Sequence, residues 1–418
     1  MTRYILIIFF SILCNMLSAQ AYRTQAISPE IYTIQVNLNG NWALLPILKL
    51  NSNDNINIRF DRISDNSFNR LRYRIFHCDA YWKKSITLSE IDYLNGFNDN
   101  LINEFDPSIN TTVEYTHFNL TIPNREVSLK LSGNYVVEIY EEDAPDEILA
   151  TACFMIVDTQ LSMTTAVSSN TDIDTNRSHQ QLSFTLLHQG MNIRDPFTEL
   201  IVFAQQNNRL DNERSNIKPT YVNPGKLIYE HNKDLIFEAG NEYRRFETSS
   251  YRYNGMNVEH IEYNRPGYTM YILKDLPRVG RGYSYDQDQN GRYIIRTNEG
   301  TNNETEADYF ETTFTLAMDS PLNEDVYING NFTDNTFSEK YKMKYDYNEK
   351  AYHISLLLKQ GMYNYLYFTK GNKGFSTAKI EGNYYETENE YTIFVYYRPT
   401  GQRYDSLIGV QTLQSREK

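Results

Sequence analysis

Residues 71–105 read LRYRIFHCDAYWKKSITLSEIDYLNGFNDNLINEF, and this stretch decides the fold. Its start, Leu71 to Cys78, alternates arginines with apolar residues, which is the period of a half-buried strand. The remainder, Trp82 to Phe105, is a long connection rich in aromatic and amide side chains. Because long ordered loops are usually functional, this loop is the first candidate for a binding surface.

The aromatic residues of this loop are the candidate partner interface, because aromatic side chains often anchor protein–protein contacts. They are Trp82, Tyr93, Phe97 and Phe105. The alternative interpretation is that the same rings cap the hydrophobic core of their own domain.

The segments around the loop predict a β-sandwich of the immunoglobulin or fibronectin type. Gly133 opens a run that continues to Tyr140 and has the pattern of the penultimate strand of such a domain. Tyr135 is then the corner tyrosine, and we expect its hydroxyl to bond to backbone upstream. About seven short strands between Ile31 and Asp158 fit this architecture.

The composition extends this β prediction to the whole chain of 418 residues. Tyrosine and phenylalanine number 35 and 21, and these residues favour strands. Beyond the N-terminus, no window keeps a helical apolar stripe over three turns. We predict an all-β protein of three consecutive immunoglobulin/fibronectin-like sandwiches, with boundaries at polar, amide-rich stretches. The predicted domains are residues 20–158, 159–306 and 307–418.

The N-terminus predicts export. Residues 1–19 combine a positive start with an apolar core and a small residue at the end, which is typical of a secretory signal peptide. A lipid anchor is rejected because Leu13, a large residue, precedes Cys14. No later segment has the roughly 18 apolar residues of a membrane span. We therefore expect an exported protein that is soluble after cleavage.

The two cysteines that remain after cleavage, Cys78 and Cys153, raise the question of a disulfide. In a sandwich of this type the two cysteines lie in one sheet with another strand between them. The distance between their Cα atoms is then greater than the usual Cα separation of a disulfide. Two buried free thiols are favoured, and the disulfide stays open as the alternative.

Charge and motifs exclude several function classes. A net charge of −13 without a lysine or arginine cluster argues against nucleic acid as a partner. No nucleophile elbow, metalloprotease helix or nucleotide-binding loop occurs, so no catalytic residue, small-molecule substrate or cofactor is predicted, and we do not expect an enzyme.

Two patterns could suggest a metal, and both have a simpler interpretation. Residues 286–291 open like a calcium loop, but Thr297 occupies the position of the bidentate glutamate, so a tight hairpin is favoured. His77 and His117 could meet across strands as zinc ligands, but two scattered histidines are more often ordinary strand residues. No metal site is predicted.

The third predicted domain resembles the small immunoglobulin-like domains that precede starch and glycogen enzymes, some of which bind sugars. Those domains usually carry a sugar-stacking tryptophan just after the equivalent of Asn331-Phe332. Here Thr333-Asp334-Asn335 follows, which weakens that interpretation. A periplasmic or surface glycan-binding protein is therefore the alternative function.

A more specific resemblance covers nearly the whole mature chain, and its long motif lies in the opening stretch. The residues that carry it are Leu71–Arg74, His77-Cys78, Trp82, Leu88–Asp99, Tyr115–His117, Leu129–Tyr135, Cys153–Val157, Tyr384–Asn389, Tyr396–Pro399 and Arg403–Asp405. On these residues the chain resembles the plug protein family of the type IX secretion system of Bacteroidetes.

The resemblance implies a periplasmic location on the inner face of the outer membrane. It implies association with the large outer-membrane β-barrel translocon, whose periplasmic mouth the plug closes when no substrate is in transit. No contact residues are implied by the resemblance.

Overall fold

The structure of the protein is a computed structural model that describes residues 21–64, 70–372 and 374–416. The predicted signal peptide, residues 1–19, lies outside this part of the chain. Strands dominate the described residues, and the α-helices there are single turns, α1 (Glu90–Tyr93), α2 (Pro196–Glu199) and α3 (Asn303–Glu306). The all-β prediction is confirmed. No helix among these residues has both the length and the apolar composition to cross a bilayer.

The strands fall into three groups along the chain. The first group is β1 (Gln25–Ala26), β2 (Ile31–Leu38), β3 (Ile47–Lys49), β4 (Ile56–Arg62), β5 (Leu71–Cys78), β6 (Leu94–Gly96), β7 (Asn100–Leu101), β8 (Glu104–Pro107), β9 (Thr116–Ile122), β10 (Val127–Leu129), β11 (Gly133–Glu141) and β12 (Ala144–Val157). The second group is β13 (Ser162–Ser168), β14 (His179–Leu187), β15 (Leu200–Gln206), β16 (Tyr221–Asn223), β17 (Lys226–Tyr229) and β18 (Ile236–Glu238). The third group is β19 (Arg244–Glu247), β20 (Val258–Asn264), β21 (Gly267–Ile272), β22 (Tyr293–Ile295), β23 (Tyr309–Ala317), β24 (Val326–Asn329), β25 (Lys344–Asp346), β26 (Ala351–Lys359), β27 (Gly361–Gly371), β28 (Gly374–Ser376), β29 (Glu390–Tyr397) and β30 (Ser406–Gln414). Short 3₁₀ turns span Lys233–Leu235, Asn331–Thr333 and Glu339–Tyr341.

The first core lies between two sheets of the N-terminal region. One sheet has the order β1-β12-β11-β5-β7, with β3 added in parallel to β12, and the other has the order β2-β4-β9-β8. Leu71, Tyr73 and Ile75 of β5 are buried in this core, while the arginines between them are partly exposed. The predicted alternation of this strand is confirmed.

Two details predicted for the first core are present. The hydroxyl of Tyr135 donates to the carbonyl oxygen of Leu131 at 2.8 Å, which is the expected corner contact. Cys78 lies in β5 and Cys153 in β12, with β11 between them, and both are free buried thiols. Burial raises the pKa of both thiols, so they stay protonated at neutral pH.

The second core contains strands from two distant parts of the chain. Sheet β13-β14-β17-β16, with β18 beside β14, faces the three-stranded sheet β15-β29-β30. β29 is the central strand of that sheet, and residues 390–396 are buried, which explains the large side chains on both of its faces.

The third core is formed by the residues between β18 and β29. Sheet β20-β21-β23-β26-β25 packs against a sheet in which β19, β22, β24 and β28 all pair with the long strand β27. The buried aromatic residues Tyr363, Tyr365 and Tyr367 of β27 lie in this core.

These pairings correct the predicted boundary between residues 306 and 307. β21, placed in the second predicted domain, pairs in parallel with β23 of the third, and β29, placed in the third, pairs with β15 of the second. Residues 244–376 are thus inserted into the second core, which the C-terminal strands then complete. The error arose because strands distant along the chain can pair as well as neighbours can, and local pattern does not reveal the partner.

The predicted hairpin at residues 285–295 is also corrected. Asn290 and Gly291 form a turn with positive φ angles, but β22 pairs with β27 rather than with the residues before the turn.

Candidate functional site

The loop that joins β5 to β9 is ordered by its amide and hydroxyl side chains. The side chain of Asn98 bonds to both the backbone amide and the carbonyl of Ile75, at 2.6 and 2.9 Å, and so fastens the loop to β5. The backbone amide of Ser89 donates to the Asp92 carboxylate at 2.8 Å, which caps α1. Gly96 pairs with Val127 so closely that an added Cβ would lie 1.9 Å from the Glu126 carbonyl oxygen. The polar residues of the motif therefore hold the loop in place.

Two of the predicted interface residues pack against buried clusters of the N-terminal region, Tyr93 in the first core and Trp82 against a separate, smaller cluster. Tyr93 is 4% exposed, and its hydroxyl donates to the Ile75 carbonyl oxygen at 3.2 Å. Trp82 is half-buried and packs against the cluster of Cys78, Val136 and Cys153. For Tyr93 the interface prediction is wrong, because its ring is needed to fill the core beneath the loop.

The other two predicted residues, Phe97 and Phe105, face solvent. Phe97 is 84% exposed, and Phe105 is 55% exposed with its ring 5.7 Å from that of Phe118. Sequence reasoning missed Ile86 and Ile91, which are 95% and 77% exposed. The signal that could have found them is their position among polar neighbours in the SITLSEID segment. This segment lacks the alternating pattern of a strand that buries one face. We call Ile86, Ile91, Phe97 and Phe105 the apolar loop residues.

The loop is also fastened to the C-terminal segment, at a contact that we call the C-terminal junction. The guanidinium of Arg403 lies 2.9 Å from the Asp92 carboxylate and donates to the Thr87 carbonyl oxygen at 3.2 Å. The hydrogen bond from Arg403 holds the pKa of Asp92 well below its usual range. Two segments that are 311 residues apart in sequence therefore meet at the loop.

Deeper in the C-terminal junction, further polar contacts are buried. The hydroxyl of Tyr396 donates to the Asn134 side chain at 2.7 Å, and the amide of Ala80 donates to Asp405 at 2.9 Å. The imidazole of His77 packs edge-on to the Tyr404 ring at 5.4 Å. The motif residues near both ends of the chain thus pack against each other.

The two histidines considered as zinc ligands have separate structural roles. Burial lowers the pKa of His77 to about 4, so its imidazole is neutral, with Ser85 Oγ 2.8 Å from Nδ1. His117 lies in the opposite sheet, with Nδ1 2.6 Å from Asp61. Within the described part of the chain, no group of three or more His, Cys, Asp or Glu is placed to hold a metal ion.

Asp61 and His117 belong to a buried contact between the first and third cores, which we call the charged junction. The ammonium of Lys359 lies 2.6 Å from Asp61, and each side chain is 1% exposed. The hydroxyl of Tyr309 also donates to Asp61, at 2.6 Å. Burial by itself would raise the pKa of Asp61, but Lys359 and His117 hold it below its ordinary value. The carboxylate is therefore ionised and fully bonded.

Comparison with known proteins identifies the family. Residues 31–158 match the model of the type 9 secretion system plug protein 1st domain. A crystal structure of a hypothetical protein from Parabacteroides merdae is 44% identical, with a TM-score of 0.92; the match covers 94% of this chain and all of that one. No curated protein matches the chain.

Two further solved structures resemble the chain too weakly to carry an argument. One is an alkylpurine DNA glycosylase from Pseudomonas fluorescens, at 10% identity over 30% of each chain and a TM-score of 0.16. The other is dimeric latent PorU from Porphyromonas gingivalis, at 8% identity, covering 92% of this chain and 34% of that one, with a TM-score of 0.14.

The matched domain contains the strand β5, the corner tyrosine and the whole aromatic loop, which include the long motif of the sequence resemblance. The chain belongs to the type IX secretion system plug protein family.

Proposed function

We propose that this protein is a periplasmic plug that docks on the mouth of the outer-membrane β-barrel translocon and closes its pore when the pore is idle. The observation that carries the proposal is the family match at residues 31–158. Within that same range lie the apolar loop residues, which supply a surface suited to protein contact.

The apolar loop residues support docking because they expose hydrophobic surface on an ordered loop. Single exposed apolar residues are common on soluble proteins, and here four of them lie within residues 86–105, on the loop that the family model covers. The hydrogen bonds of Asn98 and Ser89 limit the loop's freedom before binding, so little conformational entropy remains to be lost on docking.

The way the three cores are joined supports the plug role. A plug must obstruct a pore without deforming, and it needs more bulk than one small domain has. The charged junction and the C-terminal junction tie the first core to the other two through buried hydrogen bonds. We take the first core to be an immunoglobulin-like sandwich, a type supported by its corner tyrosine.

The predicted signal peptide and the family membership both support a periplasmic location beside the outer membrane. The proposed role is mechanical, and it asks for no catalysis and no cofactor.

Co-purification from outer membranes tests the proposal. A variant carrying Ile86→Ser, Ile91→Ser and Phe97→Ser should lose most of its association with the β-barrel translocon. Its melting temperature should stay within about 2 °C of the parent, because the replaced side chains are exposed.

The matched control carries Tyr221→Ser and Val222→Ser on the strand β16. In the parent these two side chains are 55% and 50% exposed. This control should co-purify like the parent. Absence of the parent from every translocon complex would refute the plug function, and equal loss in both variants would refute the loop as the docking surface.

A further inference from the structure

A cavity of about 190 Å³ lies where the three cores meet. Its lining comes from the first core at Tyr22–Thr24, Ile34–Asn37, Trp42 and Leu44–Ile47, from the second core at Gln205 and Asn208, and from the third core at Asn331 and Asp334. Drug-sized ligands occupy pockets of about 300–1,000 Å³, so this cavity has room for one small ring.

The lining combines aromatic rings and amide side chains with a set of aliphatic side chains. The chain has two tryptophans, Trp42 and Trp82, and both line the cavity. The amide side chains of Gln35, Asn37 and Asn208 also line it. A pyranose sugar presents an apolar C–H face and a rim of hydroxyl groups, and it therefore matches rings flanked by amides better than a purely apolar ligand does.

The cavity also contains a cation without a counter-ion. Among the described residues, the guanidinium of Arg23 has no hydrogen bond or ion pair to another side chain. By contrast, Arg292, which also lines the cavity, is paired with Glu390 at 2.5 Å. Arg23 lines the cavity together with the buried thiol of Cys153. A carboxylate is the natural partner of a partly buried guanidinium.

The carboxyl of Asp334, which also lines the cavity, repels such a ligand less than an ordinary aspartate would. Burial raises the pKa of Asp334 to about 7, so near neutral pH a substantial fraction of this group is uncharged and can donate a hydrogen bond. Its carboxylate oxygen accepts a hydrogen bond from the Ala26 amide at 3.2 Å, which fixes the side chain at the edge of the cavity.

From the two tryptophans, the amides and the unpaired Arg23, we infer that this cavity binds a pyranose sugar that carries a carboxylate. The ring packs against the indoles, the hydroxyl groups bond to the amides, and the carboxylate pairs with Arg23. Because the lining comes from all three cores, the bound sugar also ties them together. This inference is independent of the proposed plug function.

Intrinsic tryptophan fluorescence tests the inference directly, because both emitters line the cavity. The full chain is titrated with D-glucuronate, D-glucose and hexanoate up to about 50 mM, which detects millimolar Kd values. Glucuronate should change the emission saturably, with an affinity about tenfold above that of glucose, the factor expected for one charge-assisted hydrogen bond.

Arg23→Gln should abolish the preference for glucuronate over glucose while leaving folding unchanged. Arg125→Gln, which replaces an exposed arginine outside the cavity lining, is the matched control and should bind like the parent. Trp42→Phe and Trp82→Phe should each weaken glucuronate binding.

Three outcomes would overturn the inference. The first is the absence of a saturable change with any sugar. The second is binding of hexanoate as strong as that of glucuronate, which would indicate an apolar acid site. The third is an unchanged preference for glucuronate in Arg23→Gln.

Discussion

The first core meets the rest of the protein at two junctions that use similar groups at different depths. In the charged junction, Asp61 and Lys359 are each 1% exposed. In the C-terminal junction, the ion pair of Arg403 with Asp92 lies at the surface, with side chains 58% and 25% exposed. An aspartate paired with a cation is thus buried in one junction and partly exposed in the other.

The physical difference between the two pairs is desolvation. A buried charge loses its hydration, so it depends on its partners, and removing one of them leaves an uncompensated charge. A surface pair is screened by water and salt, so its loss changes the free energy of unfolding only slightly. The charged junction therefore makes stability depend on correct docking of the third core. The Arg403 pair holds the loop against the C-terminal segment and contributes little to stability.

The largest expected effect comes from breaking the charged junction. Lys359→Met leaves the Asp61 carboxylate buried without its cation, and it should lower the free energy of unfolding by about 3–5 kcal/mol. Urea unfolding measures this loss. Lys342→Met, which removes a surface pair with Asp325, is the control and should lose less than about 1 kcal/mol. Similar losses in the two variants would contradict the assignment of the buried pair.

The buried part of the C-terminal junction should be the next most sensitive. Gly133 has a φ of +131°, and an added Cβ would lie 2.5 Å from His77 Nε2 and 3.0 Å from the Asp405 carbonyl oxygen. Gly133→Ala should therefore lower the free energy of unfolding by about 3 kcal/mol, from overpacking and backbone strain together.

Gly190→Ala separates those two contributions. Gly190 also has a positive φ, +90°, but nothing lies within 4 Å of its added Cβ. This variant should lose about 1–2 kcal/mol from backbone strain alone. If it loses as much as Gly133→Ala, close packing at the junction is not the cause.

The cavity between the cores offers a third comparison, because Asp334 is a carboxyl without an ion-pair partner among the described residues. Its pKa is raised by burial to about 7, above the usual 3.8, so the folded state holds its proton more tightly than the unfolded state does. This contribution to stability therefore falls as pH rises from about 4 to 7. Asp334→Asn should raise the melting temperature at pH 8 by a few degrees, and the gain should shrink as pH falls toward 4.

Asp346→Asn is the control for this pH effect. Hydrogen bonds from the Glu349 and Asn348 amides hold the pKa of Asp346 below its usual value, so its ionised form stabilises the fold. Thermal melts should show no gain at pH 8 for this variant. A gain of equal size in both would indicate a general charge effect rather than burial of Asp334.

The smallest expected effect comes from the surface pair of the C-terminal junction. Arg403→Gln should lower the free energy of unfolding by less than about 1 kcal/mol. The pKa of Asp92 should nevertheless move up toward its ordinary range, because its strongest hydrogen bond is lost. An NMR titration of the Asp92 carboxyl measures this shift. A stability loss above about 2 kcal/mol would place this pair with the buried one.

The candidate interface shows where sequence reasoning reached its limit. Aromatic composition drew attention to the correct loop, but composition does not tell a ring that fills a core from one that faces solvent. Tyr93 and Phe97 are four positions apart, and one is buried while the other is 84% exposed. The difference depends on α1 and on β6, which turn Tyr93 inward and carry Phe97 away.

The charged junction was beyond prediction for a related reason. Asp61 and Lys359 are 298 residues apart, and each looks like an ordinary strand residue in its own segment. The local sequence pattern does not indicate which distant charged residue a side chain will contact.

The sequence by itself determined the all-β class, the strand β5, the corner contact of Tyr135 and the family. These features depend on the short-range alternation of apolar and polar residues and on motifs, both of which can be recognised within a single segment. Only the tertiary structure decided that β29 and β30 return to complete the second core around β15, and that residues 244–376 are inserted before them. The reason is that backbone hydrogen bonds join any two strands with compatible edges, so the partner is selected by the packing of the whole chain.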